Sequence, residues 1–258
     1  MSDPAQRFYD WLASEYQAVY ADWEASLQRQ AEVLDRLIAE ELGPGPHRVL
    51  DCTCGIGTQA LGLAGLGHVV VGTDISSESI GRARAEAERR GLEVDFRVAD
   101  LRTLSLPGEP AFDVVLSADN ALPHLVDRAD LRRGLERMID QVAPHGLLLA
   151  SMRDYDAILA ERPSATPPTC SMHGDERRVT FQLWEWSDDG RRYELEMFLM
   201  RETSPGRWTT ESRRAAYRAM PRAELTTLLR ELGAESVRWR MPAESGFFQP
   251  IVTARRAG

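Results

Sequence analysis

A doubly wound α/β fold built on a seven-stranded sheet, with a small antiparallel β lobe inserted before its end, is what this sequence predicts. Three patterns predict it. Short apolar runs alternate with helical stretches from residue 48 to residue 152. A glycine loop, CTCGIG at 52–57, stands between the first apolar run and the first helical stretch. Beyond residue 157 the texture changes to longer runs with alternating faces, rich in aromatics. Parallel strands covered on both faces read as continuous apolar runs, whereas antiparallel strands with one wet face alternate.

The elements follow in order. Residues 8–38 form an aromatic-rich amphipathic segment, ended by GPGPH at 43–47. RVLDC (48–52) reads as a strand, TQALGLAGLG (58–67) as a helix and VVVGTD (69–74) as the second strand. SSESIGRARAEAERRG (76–91) is a helix with a capping serine, an acid near its start and a terminal glycine. EVDFRVAD (93–100) and FDVVLSAD (112–119) are strands. RADLRRGLERMIDQVAP (128–144) is a helix stopped by its proline, and GLLLASM (146–152) is the fifth strand. A proline-rich loop at 162–169 precedes two alternating strands around a turn at 187–190, and a third strand is expected at 208–217. Residues 221–233 read as a helix with proline at its start and glycine at its end. ESVRWRM (235–241) and FFQPIVTARR (247–256) close the sheet. The expected organisation is therefore one domain over 1–258: a helical cap at 1–45, a core at 46–155, an inserted lobe at 156–220, and completion of the sheet at 221–258.

Composition narrows the function. With 258 residues, 43% of them hydrophobic, the chain can bury a full core. No apolar run nears the ~18 residues that cross a bilayer, and the N-terminal stretch lacks a charged-then-apolar leader pattern, so a cytoplasmic protein without a membrane partner is expected. The net charge of −9 argues against tracking nucleic-acid phosphates. Three cysteines, Cys52, Cys54 and Cys170, do not form a disulfide framework, and CTC lacks the CxxC spacing of a zinc or redox site. No metal is expected.

Glycine lets backbone approach a ligand because it carries no Cβ. Gly55 and Gly57 lie between a strand and a helix whose first N–H groups are free. Asp74 ends the next strand, where a carboxylate can accept hydrogen bonds from both ribose hydroxyls. Loop and acid together point to an adenosine site; the plain alternatives are a tight turn and a helix cap.

The loop Asp51-Cys52-Thr53-Cys54-Gly55-Ile56-Gly57 resembles the DxGCGxG loop of class I S-adenosylmethionine-dependent methyltransferases, with Thr53 in place of the first glycine. It is not the GxGxxG made for a pyrophosphate. Asp100, in VADLRTL, falls where that family sets a polar group against the adenine amino group, or is a polar loop residue. The resemblance implies a Rossmann-like fold and S-adenosylmethionine as cofactor. Its implied cofactor residues are Tyr16, Trp23, Arg29, Asp51, Thr53, Gly55, Gly57, Asp74, Ile75, Asp100, Leu101 and Ala118, with Arg29 near the cofactor carboxylate.

The flanks are similar to the glycine and glycine/sarcosine N-methyltransferase branch. SADNALPHL (117–125) places Asn120 and His124 at matching positions, SMRDYDAIL (151–159) places Arg153 and Tyr155, and Tyr217 matches a tyrosine near the substrate. These five are the implied catalytic residues. Each has a structural alternative: a turn for Asn120, packing for His124 and Tyr217, a surface ion pair with Asp154 or Asp156 for Arg153. Arginine suits a carboxylate-bearing acceptor because its planar fork binds carboxylate bidentately. Trp184, Trp186, Phe198 and Trp208 read as lobe core ahead of a pocket lining. No DPPY-type loop of nucleic-acid amine methyltransferases follows the fourth strand, which favours a small-molecule acceptor. The expected reaction is methylation of a small amine, such as glycine or sarcosine. The alternatives are a natural-product hydroxyl or carboxyl acceptor, a nicotinamide oxidoreductase, and a cofactor-binding protein without catalysis.

Overall fold

The computed structural model describes residues 3–13, 15–20, 22–174 and 176–258. The N-terminal amphipathic segment is divided into α1 (Pro4–Leu12), a 3-10 turn (Tyr16–Val19) and α2 (Trp23–Leu42). Asp3 and Asp22 cap the two helices through bonds from the N–H groups of Ala5 and Ala25. There follow β1 (Arg48–Asp51), α3 (Thr58–Gly65), β2 (Val69–Asp74), α4 (Ser77–Arg90), β3 (Asp95–Val98), β4 (Phe112–Ser117), α5 (Arg128–Gln141) and β5 (Val142–Ser151). The rest is α6 (Tyr155–Glu161), β6 (Thr169–His173), β7 (Glu176–Trp186), β8 (Arg192–Ser204), β9 (Arg207–Arg218), α7 (Arg222–Glu231), β10 (Ala234–Arg240), α8 (Pro242–Ser245) and β11 (Ile251–Arg256).

Seven strands form one sheet in the order β10-β11-β5-β4-β1-β2-β3. The pairs among β1 to β5 are parallel, while β11 runs antiparallel to both β5 and β10. Alternation along each strand feeds two apolar layers. Val49, Val114, Leu147 and Leu149 meet α2, α3 and α4 on one face. Leu50, Val115, Leu148 and Val252 meet α1, α5 and α7 on the other, and this layer continues into the second sheet. That sheet, β6-β7-β8-β9, is antiparallel throughout. Its inner face presents Trp184, Tyr193, Leu195, Met197 and Tyr217, all buried.

Two expectations change. Pro144 does not stop α5; the helix ends at Gln141, and the proline lies inside β5. It falls where the β4–β5 register slips between the pairs Phe112–Val142 and Val114–Leu147, an irregularity that tolerates a missing N–H. The proline-rich loop ends in a fourth lobe strand, β6, which has five residues and pairs with β7 alone.

Candidate active site

Strand ends of the parallel sheet open onto a cleft lined by Thr53, Gly55, Asp74, Ile75, Leu101 and Ala118, among others. Gly55 has φ 53°, and a Cβ built there meets nothing within 4 Å, so the backbone itself faces open space. The loop is fastened from the neighbouring strand: Gly55 N–H donates to Asp74 Oδ2 at 2.9 Å, and Ser76 N–H donates to Oδ1 at 2.9 Å. Each carboxylate oxygen keeps a second lone pair for a ligand hydroxyl. Burial pushes the Asp74 carboxyl up, against the pull of those two N–H groups. Thr53 Oγ1 lies 2.9 Å from Ser117 Oγ, which ties the loop to β4.

Beneath the loop, Asp51 is fully buried with Oδ2 unpartnered among the described residues. Burial raises its pKa to about 7. Asp100 lines the cleft but caps the following turn and holds the Arg102 guanidinium at 2.9 Å. Burial pushes this carboxyl up, yet the Arg102 side chain and N–H outweigh it and leave it below its ordinary value. The glycine backbone, ribose-sized rim acid and apolar walls fit an adenosyl group. Gly55 and Asp74 would hold its methionine and ribose parts, and Ile75, Leu101 and Ala118 would flank the ring.

A second cleft adjoins the first, sharing Tyr9, Tyr16 and Asp119 as walls. Asp119 and Asn120 follow β4 with successive positive φ values, 55° and 65°, which Asp and Asn tolerate best after glycine. Asn120 Oδ1 accepts from Arg153 N–H at 3.1 Å, so two loops beyond adjacent strands brace each other. The Arg153 guanidinium donates to Tyr193 Oη at 3.2 Å and Gln182 Oε1 at 3.1 Å. It stacks 4.8 Å from the Trp184 ring centre and 5.7 Å from that of Tyr217. No carboxylate lies within ion-pair distance of Arg153 among the described residues. Asp154 and Asp156 pair with Arg222 instead.

His124 Nε2 lies 2.8 Å from Tyr9 Oη, and its ring packs 4.0 Å from Tyr217. Burial, then Arg153, lowers its pKa to about 3, so the imidazole is neutral at physiological pH. Tyr217 stacks on Tyr193 at 5.2 Å, and Tyr193 on Trp184 at 4.5 Å. This column of rings carries Arg153, and Tyr217 at its end joins the cleft wall.

Asn120, Arg153 and Tyr217 thus line the second cleft, and His124 lines the first. Other expected residues do not reach either lining. Arg29 is exposed on α2, because its helix turns Gln30 and Ala31 inward in its place. Trp23 is buried between α2 and α3, with its indole N–H on Thr58 Oγ1 at 2.9 Å. Gly57 permits the αL cap of α3, where a Cβ would press on Leu61 and Phe96 at 3.1 Å. Tyr155 lies behind the ring column, its hydroxyl 3.0 Å from that of Tyr193. Of Trp184, Trp186, Phe198 and Trp208, Trp184 alone is buried; Phe198 stacks on Phe181 at 4.8 Å, and Arg177 covers Trp208 at 5.0 Å. Tyr9, Tyr20, Asp119 and Gln182 were not singled out by the sequence. Asp119 alone left a signal there, as an acid close behind the apolar run of β4.

Residues 49–146 match the family model described as a methyltransferase domain. A glycine/sarcosine N-methyltransferase of Halorhodospira halochloris is 27% identical over 194 residues, 70% of this chain and 69% of that protein. A glycine N-methyltransferase of Rattus norvegicus is 32% identical over 162 residues, 55% of each. This chain thus spans about half to two thirds of these relatives. In fold it is similar to SAM-bound CalS10, an amino pentose methyltransferase from Micromonospora echinaspora, with a TM-score of 0.73, 18% identity and 95% of each chain covered. Among the described residues no helix is long and apolar enough to cross a membrane.

Proposed function

We propose, from the premise that the chain belongs to the class I S-adenosylmethionine-dependent methyltransferases, that it methylates the amine of a small carboxylate-bearing acceptor, an amino acid such as glycine or sarcosine. The observation that carries this reading is Arg153: a guanidinium facing the second cleft, held by neutral partners, with no carboxylate paired to it among the described residues. A half-buried guanidinium with no carboxylate in ion-pair contact keeps its planar fork for one, and an acceptor carboxylate would supply it. The names of the relatives from Halorhodospira halochloris and Rattus norvegicus support the same acceptor class.

Bound S-adenosylmethionine supplies an electrophilic methyl group. The chain's own residues do the rest by placement and exclusion of water. Arg153 fixes one end of the acceptor. Asn120 and the ring column fix the position of Arg153. Tyr9 and Tyr16, on the N-terminal elements, wall both clefts where they meet.

The exposed Phe248 stands among the walls of the second cleft, which favours as a second reading a larger acceptor methylated on a hydroxyl or carboxyl group. An acceptor panel with deuterated methyl donor and mass detection separates the two. Labelled N-methyl product from glycine or sarcosine, with the decarboxylated amines poor, is expected. Label appearing only on hydroxyl or carboxyl compounds contradicts the amine reading.

A further inference from the structure

An amine is protonated near neutral pH, and its lone pair is unavailable until a proton leaves. Asp119 stands where the two clefts meet and belongs to the lining of both. Its carboxylate is held by neutral donors. Tyr20 Oη donates to Oδ2 at 2.8 Å and Tyr16 Oη to the same oxygen at 3.4 Å. Gln249 Nε2 reaches Oδ1 at 3.5 Å, while its amide oxygen is fixed by the Ser151 hydroxyl at 3.2 Å. The backbone is held as firmly: Asp119 N–H donates to Ser151 Oγ at 2.9 Å, which secures a strained φ of 55°. No cation lies within ion-pair distance of Asp119 among the described residues. The cleft therefore presents one unpaired cation, Arg153, and one unpaired anion, Asp119.

We propose that Asp119 receives the ammonium group of a zwitterionic acceptor, whose carboxylate Arg153 holds, and takes from it the proton that must leave before methyl transfer. The inference rests on the reading of this protein as an amine methyltransferase. In the step, an N–H bond breaks with its electron pair left on nitrogen, and the proton passes to a carboxylate oxygen of Asp119. The freed pair forms the bond to the methyl carbon as the methyl–sulfur bond breaks, its pair remaining on sulfur. The product leaves as the N-methylammonium, and Asp119 returns its proton to solvent.

Other groups around the cleft are less suited. His124 has one ring nitrogen on Tyr9 and faces the Ala216 backbone with the ring. Tyr9 from α1, Tyr16 and Tyr20 from the segment before α2, and Tyr217 from β9 all face Asp119, and burial raises all four phenols. They stay neutral across the working range, and Arg153 beyond β5 stays charged. His124 stays neutral until about pH 3, and Asp119 is the carboxylate of this cleft that can take a proton as the pH falls. Burial raises its own carboxyl, against Tyr20, Arg153 and Tyr16, which makes it a better proton acceptor than an exposed aspartate.

The test begins with binding to the full chain saturated with S-adenosylhomocysteine. Glycine and glycolate are matched in size and carboxylate and differ in the ammonium. Calorimetry of the parent is expected to give at least about tenfold tighter binding of glycine, and Asp119→Asn to bring the two within about twofold. In methyl transfer at pH 7, Asp119→Asn is expected to lower kcat/KM by on the order of 10²–10⁴. The variant's rate should then climb about tenfold per pH unit towards the amine's own pKa, where the parent has levelled off. Tyr20→Phe removes the 2.8 Å donor that favours the anion and should move the parent's acid limb up by roughly half a pH unit, so the test survives if Asp119→Asn does not fold. Equal glycine and glycolate affinity in the parent, or an Asp119→Asn profile superimposable on the parent's, overturns the inference. If the parent methylates no amine of the panel, the underlying reading fails instead.

Discussion

The two clefts share a boundary but are assembled in opposite ways. The donor cleft is drawn mainly from segments at the ends of parallel strands, 52–59 after β1, Asp74 and Ile75 at the end of β2, 99–102 after β3, and 118–125 after β4, with Asp3, Ala5, Tyr9 and Tyr16 of the N-terminal segment completing its wall. Backbone groups carry the contacts that fasten its loop, as in the two N–H groups on Asp74. The acceptor cleft gathers Phe8 from α1, Tyr20 before α2, Arg153 beyond β5, Gln182 from β7, Tyr217 from β9 and Gln249 before β11. Its contacts are between side chains from opposite ends of the chain. A parallel sheet brings the same strand ends to one rim whatever the loops contain, so the donor side is fixed by the core. The acceptor side exists only once the N-terminal helices and the lobe have docked. Trp11 donates to Glu211 at 3.1 Å and Glu15 pairs with Arg178 and Arg201 across that junction.

Asp74→Ala gives the largest expected break. It removes the proposed ribose acceptor and releases the N–H groups of Gly55 and Ser76. S-adenosylhomocysteine binding should weaken by about 2–4 kcal/mol, roughly 30- to 1,000-fold, with a lower Tm. Calorimetry checks the affinity and circular dichroism the fold. An unchanged affinity in a native fold would reduce Asp74 to a loop fastener.

A further difference lies under the glycine loop. The folded pKa of Asp51, about 7, is above the unfolded value near 4. Between those values the folded chain keeps a proton that the unfolded chain has lost. The associated stability is fully present below about pH 4 and falls as pH rises through 7. Asp51→Asn cannot ionise and should gain on the parent between pH 5 and pH 8 by on the order of 2–4 kcal/mol. Urea unfolding of both proteins at several pH values reads this directly; parallel profiles would show that Asp51 is ionised in the folded chain throughout.

This contrast also decides what could be read from the sequence. Gly55 and Asp74 were legible because a turn and the strand beside it carry their chemistry locally. Arg153 and Asn120 were singled out by their positions after β5 and β4, and the structure brings them together through Arg153 N–H donating to Asn120 Oδ1. Trp23 and Arg29 were misplaced because spacing on a helix does not say where the helix is rotated. Tyr9, Tyr20 and Gln182 were invisible: a tyrosine in an amphipathic segment, or a glutamine in an alternating strand, gains meaning only when tertiary packing turns it to a distant carboxylate or guanidinium. Pro144 went wrong because a proline ending a helix and one at a strand irregularity look alike in sequence.

Arg153→Lys tests the division between the clefts most directly. Lysine keeps the charge but loses the planar fork and the ring stacking that, in the proposed function, hold the acceptor in line. With glycine or sarcosine as acceptor, kcat/KM should fall on the order of a hundredfold, while S-adenosylhomocysteine affinity stays within about twofold. Acceptor kinetics left intact, or a loss of cofactor affinity as large as the loss of kcat/KM, would contradict the account.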